Sequence, residues 1–207
     1  MASKPFLTDI EAIRKRAREH IDQGAITAGY TADRETVIKL LNEALATEIV
    51  CTLRYKYHYY MASGIQSQAV KAEFLEHAQQ EQEHADRIAE RITQLDGKPD
   101  FNPDGLLSRA HADYAEGADL VDMIREDLVA ERIAIDTYRA IIEYIGGDDP
   151  TTRRIMEEVL AQEEEHAEDM ATLLAQLGEK AEPKQPAKPR PAAQSSAGAG
   201  SGSGRQH

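Results

Sequence analysis

Cysteine, tryptophan and long apolar runs are scarce or missing in this chain of 207 residues. It has one cysteine, Cys51, and no tryptophan. A single cysteine excludes an intrachain disulfide and is typical of a protein in a reducing compartment. No segment approaches 18 consecutive apolar residues, and the amino terminus lacks the apolar core of a secretory signal. We therefore expect a cytoplasmic protein that does not enter a membrane.

Positive charge is also scarce. The chain has 24 Lys and Arg against 37 Asp and Glu, a net charge of −13. Residues 179–207 are rich in Pro, Ala, Gly and Ser and carry a net charge of +3, which leaves −16 on the rest. We expect this tail to be disordered. Because the acidic remainder repels nucleic acid and attracts cations, we expect no nucleic-acid binding except through the basic tail.

Four long segments carry apolar residues at steps of three or four, the period of an α-helix with one buried face. They predict an all-α, antiparallel four-helix bundle over 31–178. Gly64, Gly97, Gly146 and Gly178 follow the four segments, and a glycine that accepts the left-handed conformation commonly ends a helix. The stretch between the second and third helices, from Gly97 to Gly117, predicts a long crossover. Residues 1–30 form an amino-terminal arm, whose capping box at Thr8 to Glu11 opens a short amphipathic helix ending near Gly24.

Each apolar stripe is interrupted at mid-length by acidic side chains. Glu48 and Glu131 interrupt the first and third, whereas the second and fourth carry Glu-x-x-His segments with the residues Glu81, His84, Glu163 and His166. Residues three apart share a helix face, so each segment can present a carboxylate and an imidazole to one point. Four carboxylates buried in one layer need positive charge among them. The pattern predicts a site for two metal ions in the bundle core.

From about Asp33 to Leu177 the chain resembles the bacterioferritin branch of the ferritin-like superfamily, in the segments LNEAL (41–45), EHADR (83–87) and EEEH (163–166). The resemblance implies two iron ions per chain, with manganese as an alternative. It implies that Glu48 and Glu131 are terminal ligands, that Glu81 and Glu163 bridge the two ions, and that His84 and His166 are nitrogen ligands. It also implies that Tyr55 lies beside the centre and acts catalytically as an electron donor.

Departures from that family alter two expectations. The family binds haem through a methionine that directly follows the second-helix ligand glutamate, and here that residue is Gln82, so we expect no haem. Prolines follow the fourth helix where the family has a fifth helix, which favours a dodecameric cage of the Dps-like group over a 24-subunit shell. Cages of that group with a similar site have a cysteine pair, whereas Cys51 is alone.

These observations predict a ferroxidase that oxidises Fe(II) with oxygen or hydrogen peroxide, for iron storage or detoxification in a homo-oligomeric cage. The alternative is a non-storing di-iron redox enzyme, such as a rubrerythrin-like peroxidase or an oxidase. A DNA-associated protective protein tethered by its tail ranks last. The remaining internal histidines are expected to be surface or structural residues: His20, His58, His77 and His111.

Overall fold

The computed structural model describes residues 9–19, 21–65 and 67–178. The predicted disordered tail, Thr8 of the predicted capping box and His20 lie outside the described residues. Within them the chain is helical and has no strand, which confirms the predicted all-α fold. The elements are α1 (Ile10–Arg16), a 3₁₀ turn (Ile21–Gln23), α2 (Arg34–Met61), α3 (Ser67–Gln94), α4 (Leu106–Arg109), α5 (Leu120–Ile145) and α6 (Pro150–Gln176).

Aspartates begin three of the four long helices. The side chains of Asp33, Asp119 and Asp149 accept hydrogen bonds from the backbone N–H groups three residues later. Each bond satisfies one of the N–H groups that the first helical turn leaves without a partner. In α6 the cap is followed by Pro150 at the first helical position, where a backbone N–H is not needed for a helical hydrogen bond.

Glycines end the long helices, with one exception. Gly64, Gly146 and Gly178 have φ angles of 107°, 53° and 74°. The prediction for Gly97 is wrong, because the left-handed residue after α3 is Asp96, with φ 60°. Gly97 is instead a position of close approach: a Cβ there would lie 3.0 Å from the side chain of Ile38.

The long helices are antiparallel to the neighbours that they contact. Side-chain bonds join Glu48 to Tyr138 and Arg54 to Asp127, so the partner on α5 moves backward as α2 advances. Bonds between α3 and α6 run the same way. Helices α2 and α3 form one hairpin and α5 and α6 the other.

Residues 95–119 connect the hairpins by running along α2. Asn42 binds the backbone of Lys98 and Asp100 near the start of α2, and Arg54 donates to the carbonyl of Asp113 near its end. The connection has to travel the length of the bundle because α5 begins beside the end of α2. The sequence predicts this crossover, but not the short helix α4 within it.

Two apolar clusters fill the bundle, one on each side of a polar layer. The first is built around Leu41, Ile88 and Met156, and the second around Phe74, Ile124 and Met170. Each cluster takes side chains from all four long helices, so the two together align the helices along their length. The polar layer between them is where the four stripes carry acids. None of the described helices is both long and apolar enough to be a membrane span.

The amino-terminal arm departs from the prediction. Helix α1 ends at Arg16 rather than near Gly24, and its cap is Asp9, which accepts from the N–H of Glu11. No residue of α1 is buried. A short helix without tertiary packing is marginal in water, so the apolar pattern alone does not extend it.

A buried charged network ties α2, α5 and the crossover together. Arg54 Nε donates to Asp127 Oδ1 at 2.8 Å, and His58 Nδ1 lies 2.8 Å from Asp127 Oδ2. His58 Nε2 lies 3.0 Å from the carbonyl oxygen of Ala115. The three side chains are at most 1% exposed. Asp127 therefore contacts both basic side chains of this network, Arg54 and His58.

We predict that Asp127→Ala lowers the free energy of unfolding of the metal-free protein by about 3–5 kcal/mol, because Arg54 is left buried without its counter-ion. Denaturant unfolding at fixed protein concentration measures the change. Glu157→Ala is the control, since it breaks an exposed i,i+4 pair with Arg153 and should change stability within error. An equal loss in both variants would contradict a special role for the buried network.

Candidate metal centre

The six predicted ligands lie together at mid-bundle, between the two apolar clusters. Each is at most 1% exposed. Their positions follow from the sequence: each occupies a step of its helix's apolar stripe, so folding that buries the stripe also buries the acid. We call this group the candidate metal centre: Glu48 on α2, Glu81 and His84 on α3, Glu131 on α5, and Glu163 and His166 on α6.

The centre divides into two overlapping groups. The ligand atoms of Glu48 and His84 lie within 4.8 Å of each other and of atoms of Glu81 and Glu163. Glu131 and His166 form the second group with the same two glutamates.

Individual distances show how close the donors are. His84 Nδ1 lies 2.9 Å from Glu163 Oε1 and 3.3 Å from Glu48 Oε2. His166 Nδ1 lies 3.2 Å from Glu81 Oε1 and 3.6 Å from Glu163 Oε2. Since Glu81 and Glu163 belong to both groups, they are the side chains that can bridge two cations.

Several buried atoms of the centre make no hydrogen bond. They include one oxygen each of Glu48 and Glu131, both oxygens of Glu163, and Nδ1 of His84. Buried polar atoms are normally hydrogen-bonded, and unpaired buried carboxylates are unfavourable by several kcal/mol. Two carboxylate-rich donor sets with one imidazole each suit divalent iron or manganese. The residues present therefore fit a pair of such ions.

Two glutamines that sequence reasoning missed orient the imidazoles. Gln162 Oε1 accepts from Nε2 of His84 at 2.8 Å, and Gln80 Oε1 accepts from Nε2 of His166 at 2.8 Å. Each bond requires a proton on Nε2 and aims Nδ1 at the carboxylates. A signal was present, since glutamine directly precedes both Glu-x-x-His segments. Each glutamine supports the histidine of the other segment.

Two tyrosines hold the terminal glutamates in the same crossed manner. Tyr55 on α2 donates to Glu131 on α5, and Tyr138 on α5 donates to Glu48 on α2. The structure places Tyr55 beside the centre. Tyr138 lies on the apolar stripe of α5 and follows Glu131 by seven residues, as Tyr55 follows Glu48.

The metal-free centre holds more protons than exposed residues would. Burial and mutual repulsion raise the pKa of Glu81, Glu131 and Glu163 above the ordinary value. Burial disfavours the charged forms of Glu48 and His84 as well, but neighbouring side chains outweigh it. His84 and Glu81 bring the pKa of Glu48 below its usual range, and the carboxylates of Glu163 and Glu48 raise the pKa of His84 to about 11. Metal binding must displace these protons.

Other histidines differ in their surroundings. His58 has bonding partners at both ring nitrogens and is structural. His111 is partly exposed and lies 3.7 Å from Glu43. His77, for which the prediction is a surface or structural role, is buried, and its ring stacks on that of His166 with centroids 4.0 Å apart. Burial, followed by His166, lowers the pKa of His77 to about 3.

The family assignment follows from comparison of the whole bundle. Residues 38–179 match the model of the ferritin-like domain. The chain belongs to the ferritin-like family. This confirms the resemblance and the helical bundle fold that the sequence indicates.

Named relatives of the ferritin-like bundle include bacterioferritins and a Dps protein. The bacterioferritin of Mycobacterium avium is 32% identical over 143 residues, which span 67% of this chain and 83% of the relative. The DNA protection during starvation protein of Pyrococcus furiosus is 29% identical over 138 residues, 65% of this chain and 74% of the relative. A solved structure, the dodecameric thioferritin described as the bacterioferritin-related protein from Bacteroides fragilis, has 33% identity and a TM-score of 0.68, covering 70% and 88% of the two chains.

We predict that the metal-free ferritin-like bundle loses stability between pH 7 and pH 9. Glu81, Glu131, Glu163 and His84 have raised folded-state pKa values, so the folded state binds more protons than the unfolded state and stability falls as pH rises. Histidines whose pKa is lowered by folding, such as His166, affect stability only below the ordinary histidine pKa of 6.5. Each kcal/mol lost lowers the melting temperature by about 2–4 °C.

Calorimetry of chelated protein across that range measures this trend. Two equivalents of Mn(II) per chain should raise the melting temperature and flatten its pH dependence, since the ions replace the protons. Glu163→Gln should also flatten it in the metal-free state. A metal-free protein whose melting temperature rises from pH 7 to pH 9 would contradict the assignment of these shifts.

Proposed function

We propose that the protein is a ferroxidase, which oxidises Fe(II) to Fe(III) for storage or detoxification of iron. The observation that carries the proposal is the pair of buried donor groups that share Glu81 and Glu163. Four carboxylates balance the charge of two divalent cations, and the shared carboxylates hold the two ions side by side. Relatives named bacterioferritin support the assignment to iron.

In this proposal Fe(II) is the substrate. Glu48 and His84 hold one ion, Glu131 and His166 hold the other, and Glu81 and Glu163 bridge them. Each iron gives up one electron, so a pair supplies the two electrons that reduce oxygen to hydrogen peroxide, or hydrogen peroxide to water, with uptake of two protons. Manganese is the alternative ion for the same donor set.

Tyr55 is proposed to be an electron donor, which supplies one of the two electrons to the oxidant when only one Fe(II) is bound. Burial, followed by the charge of Glu131, raises its pKa, so the phenol keeps its proton near neutral pH. The hydrogen bond to Glu131 gives that proton an acceptor when the phenol is oxidised. Tyr138 makes the equivalent bond to Glu48, which positions that carboxylate.

We propose further that the protein binds no haem. Gln82 lies on the exposed face of α3 and donates to Asp86 Oδ1 at 3.0 Å. Its amide is not a thioether, so the position that resembles the haem-binding methionine of bacterioferritins offers no equivalent axial ligand.

Oxidation of iron should depend on Glu81 but not on its exposed neighbour Glu83. We predict that Glu81→Gln slows Fe(II) oxidation at least tenfold, because the variant keeps the volume but loses a bridging carboxylate. Stopped-flow absorbance of Fe(III) formation, with two Fe(II) per chain, measures the rate. Glu83→Gln carries the same change of charge on the same helix and should oxidise iron at the parent rate. A Glu81→Gln rate equal to the parent rate would refute the site.

We propose that the chain assembles into a closed homo-oligomer, a dodecamer rather than a 24-subunit shell. Ile10 and Ile13 of α1 remain 44% and 41% exposed, and Ile65 beside the α2–α3 turn is fully exposed. Apolar side chains that the described part of the chain leaves exposed favour burial against another subunit. The Bacteroides fragilis relative, described as dodecameric, supports the smaller cage.

Light scattering coupled to size exclusion tests this assembly. We predict a dodecamer for the full chain and for a variant that lacks residues 179–207. Deletion of residues 1–24 should yield smaller species, because it removes Ile10, Ile13 and Ile21 from the subunit contact. A monomeric or dimeric full chain, unchanged by metal, would contradict the storage cage and favour the non-storing di-iron redox enzyme.

A further inference from the structure

His77 lies between the candidate metal centre and the surface. Its ring is 2% exposed and stacks on His166, while Nε2 points toward two acids that are about half exposed. Nε2 lies 3.4 Å from Asp169 Oδ2 on α6 and 4.0 Å from Glu73 Oε2 on α3. The three donor atoms lie within 4.8 Å of one another. A buried imidazole and two carboxylates therefore converge outside the centre.

The hydrogen bonds of His77 bear on which of its nitrogens can bind a cation. Nδ1 lies 3.3 Å from the phenolic oxygen of Tyr55. When the phenol donates its proton to an ionised Glu131, its oxygen accepts from Nδ1, and this tautomer turns the lone pair of Nε2 toward the two carboxylates. Nε2 makes no hydrogen bond with any described residue. A cation among the three donors would take up that lone pair and offset the charge of both acids.

Packing does not require an imidazole at this position. When the two Glu-x-x-His segments are aligned, the residue that corresponds to His77 is Val159, which packs in the first apolar cluster. The counterparts of Glu73 and Asp169 are Ile155 and Arg87. The other half of the bundle fills the same positions without a donor set.

Charge around these acids favours a cation. Within the described part of the chain, no Lys or Arg forms an ion pair with Glu73 or Asp169; their ion pairs are both with His77. Glu76 on the same face of α3 adds repulsion, since burial, followed by Asp169 and Glu76, raises the pKa of Glu73. Both carboxylates are exposed enough to rotate toward a shared ion.

We propose that Glu73, His77 and Asp169 form a third cation site, which binds one divalent first-row transition ion beside the candidate metal centre. One nitrogen and two carboxylate oxygens suit such an ion, with water completing its coordination. The site does not depend on the redox reaction. It would bind Co(II), Mn(II) or Fe(II) whether or not the neighbouring centre oxidises iron.

Anaerobic titration with Co(II) on the full chain tests the site. We expect three ions per chain for the parent and one fewer for Glu73→Gln/Asp169→Asn. The matched control is Glu76→Gln/Glu168→Gln, which removes the same charge from exposed positions of the same two helices and should keep the parent number. Anomalous scattering at the cobalt edge should show a peak among Glu73, His77 and Asp169 in parent crystals and in Glu81→Gln crystals.

The difference between parent and variant keeps this test separate from the proposed ferroxidase. If the six-residue centre binds no metal, the parent total falls, but the double variant still binds one ion fewer. A double variant that keeps the parent number, a control that loses an ion equally, or parent crystals without a cobalt peak among Glu73, His77 and Asp169 would each overturn the third site. Both altered acids are half exposed, so circular dichroism should show a folded helical protein in every case.

Discussion

Burial of four carboxylates in a single layer is the constraint on which the rest of this structure depends. Apolar clusters above and below the layer exclude water and fix the helices, so the acids cannot move away from one another. The metal-free bundle responds by retaining protons on the glutamates and by charging His84. These protons offset the repulsion among the carboxylates less well than metal cations would, and a pair of divalent ions would displace them.

Hydrogen bonds between the two hairpins orient the side chains of this layer. A tyrosine on α2 holds the glutamate of α5, and a tyrosine on α5 holds the glutamate of α2. Glutamines on α3 and α6 likewise accept hydrogen bonds from the histidines of the opposite helix. Because every predicted terminal ligand or nitrogen ligand is oriented by the other hairpin, the donor geometry forms only when the hairpins dock. The buried pairs of Arg54 with Asp127 and of Arg91 with Asp149 fasten that docking near opposite ends of the bundle.

The sequence predicts most of the bundle because helical period and buried charge are local signals. An acid on an apolar stripe is predicted to be buried and therefore to need a partner. For this reason the sequence predicts the six side chains that meet at mid-bundle. Their orienting partners were missed for a physical reason. Tyr138 looks apolar in a stripe, although its hydroxyl requires an acceptor when buried. The roles of Gln80 and Gln162 depend on a facing helix that sequence period does not specify.

The predictions that differ from the structure at the ends of the helices also concern contacts between elements, which the sequence pattern does not specify. Helix α1 is shorter than its pattern suggests, and within the described part of the chain none of its residues is buried. Asp96 rather than Gly97 adopts the left-handed conformation after α3, while Gly97 lets the side chains of Ile38 and Ile92 approach its backbone closely. The same limit applies to His77. Its neighbours in sequence do not show that it belongs to a donor set, because Asp169 comes close to its Nε2 only where α6 packs against α3. The two halves of the centre repeat each other in their ligands, tyrosines and glutamines, but the outer donors Glu73, His77 and Asp169 correspond to Ile155, Val159 and Arg87 on the other half. That asymmetry gives a polar path from the surface acids through His77 and Tyr55 to Glu131, whereas the corresponding space on the other half is filled by Val159.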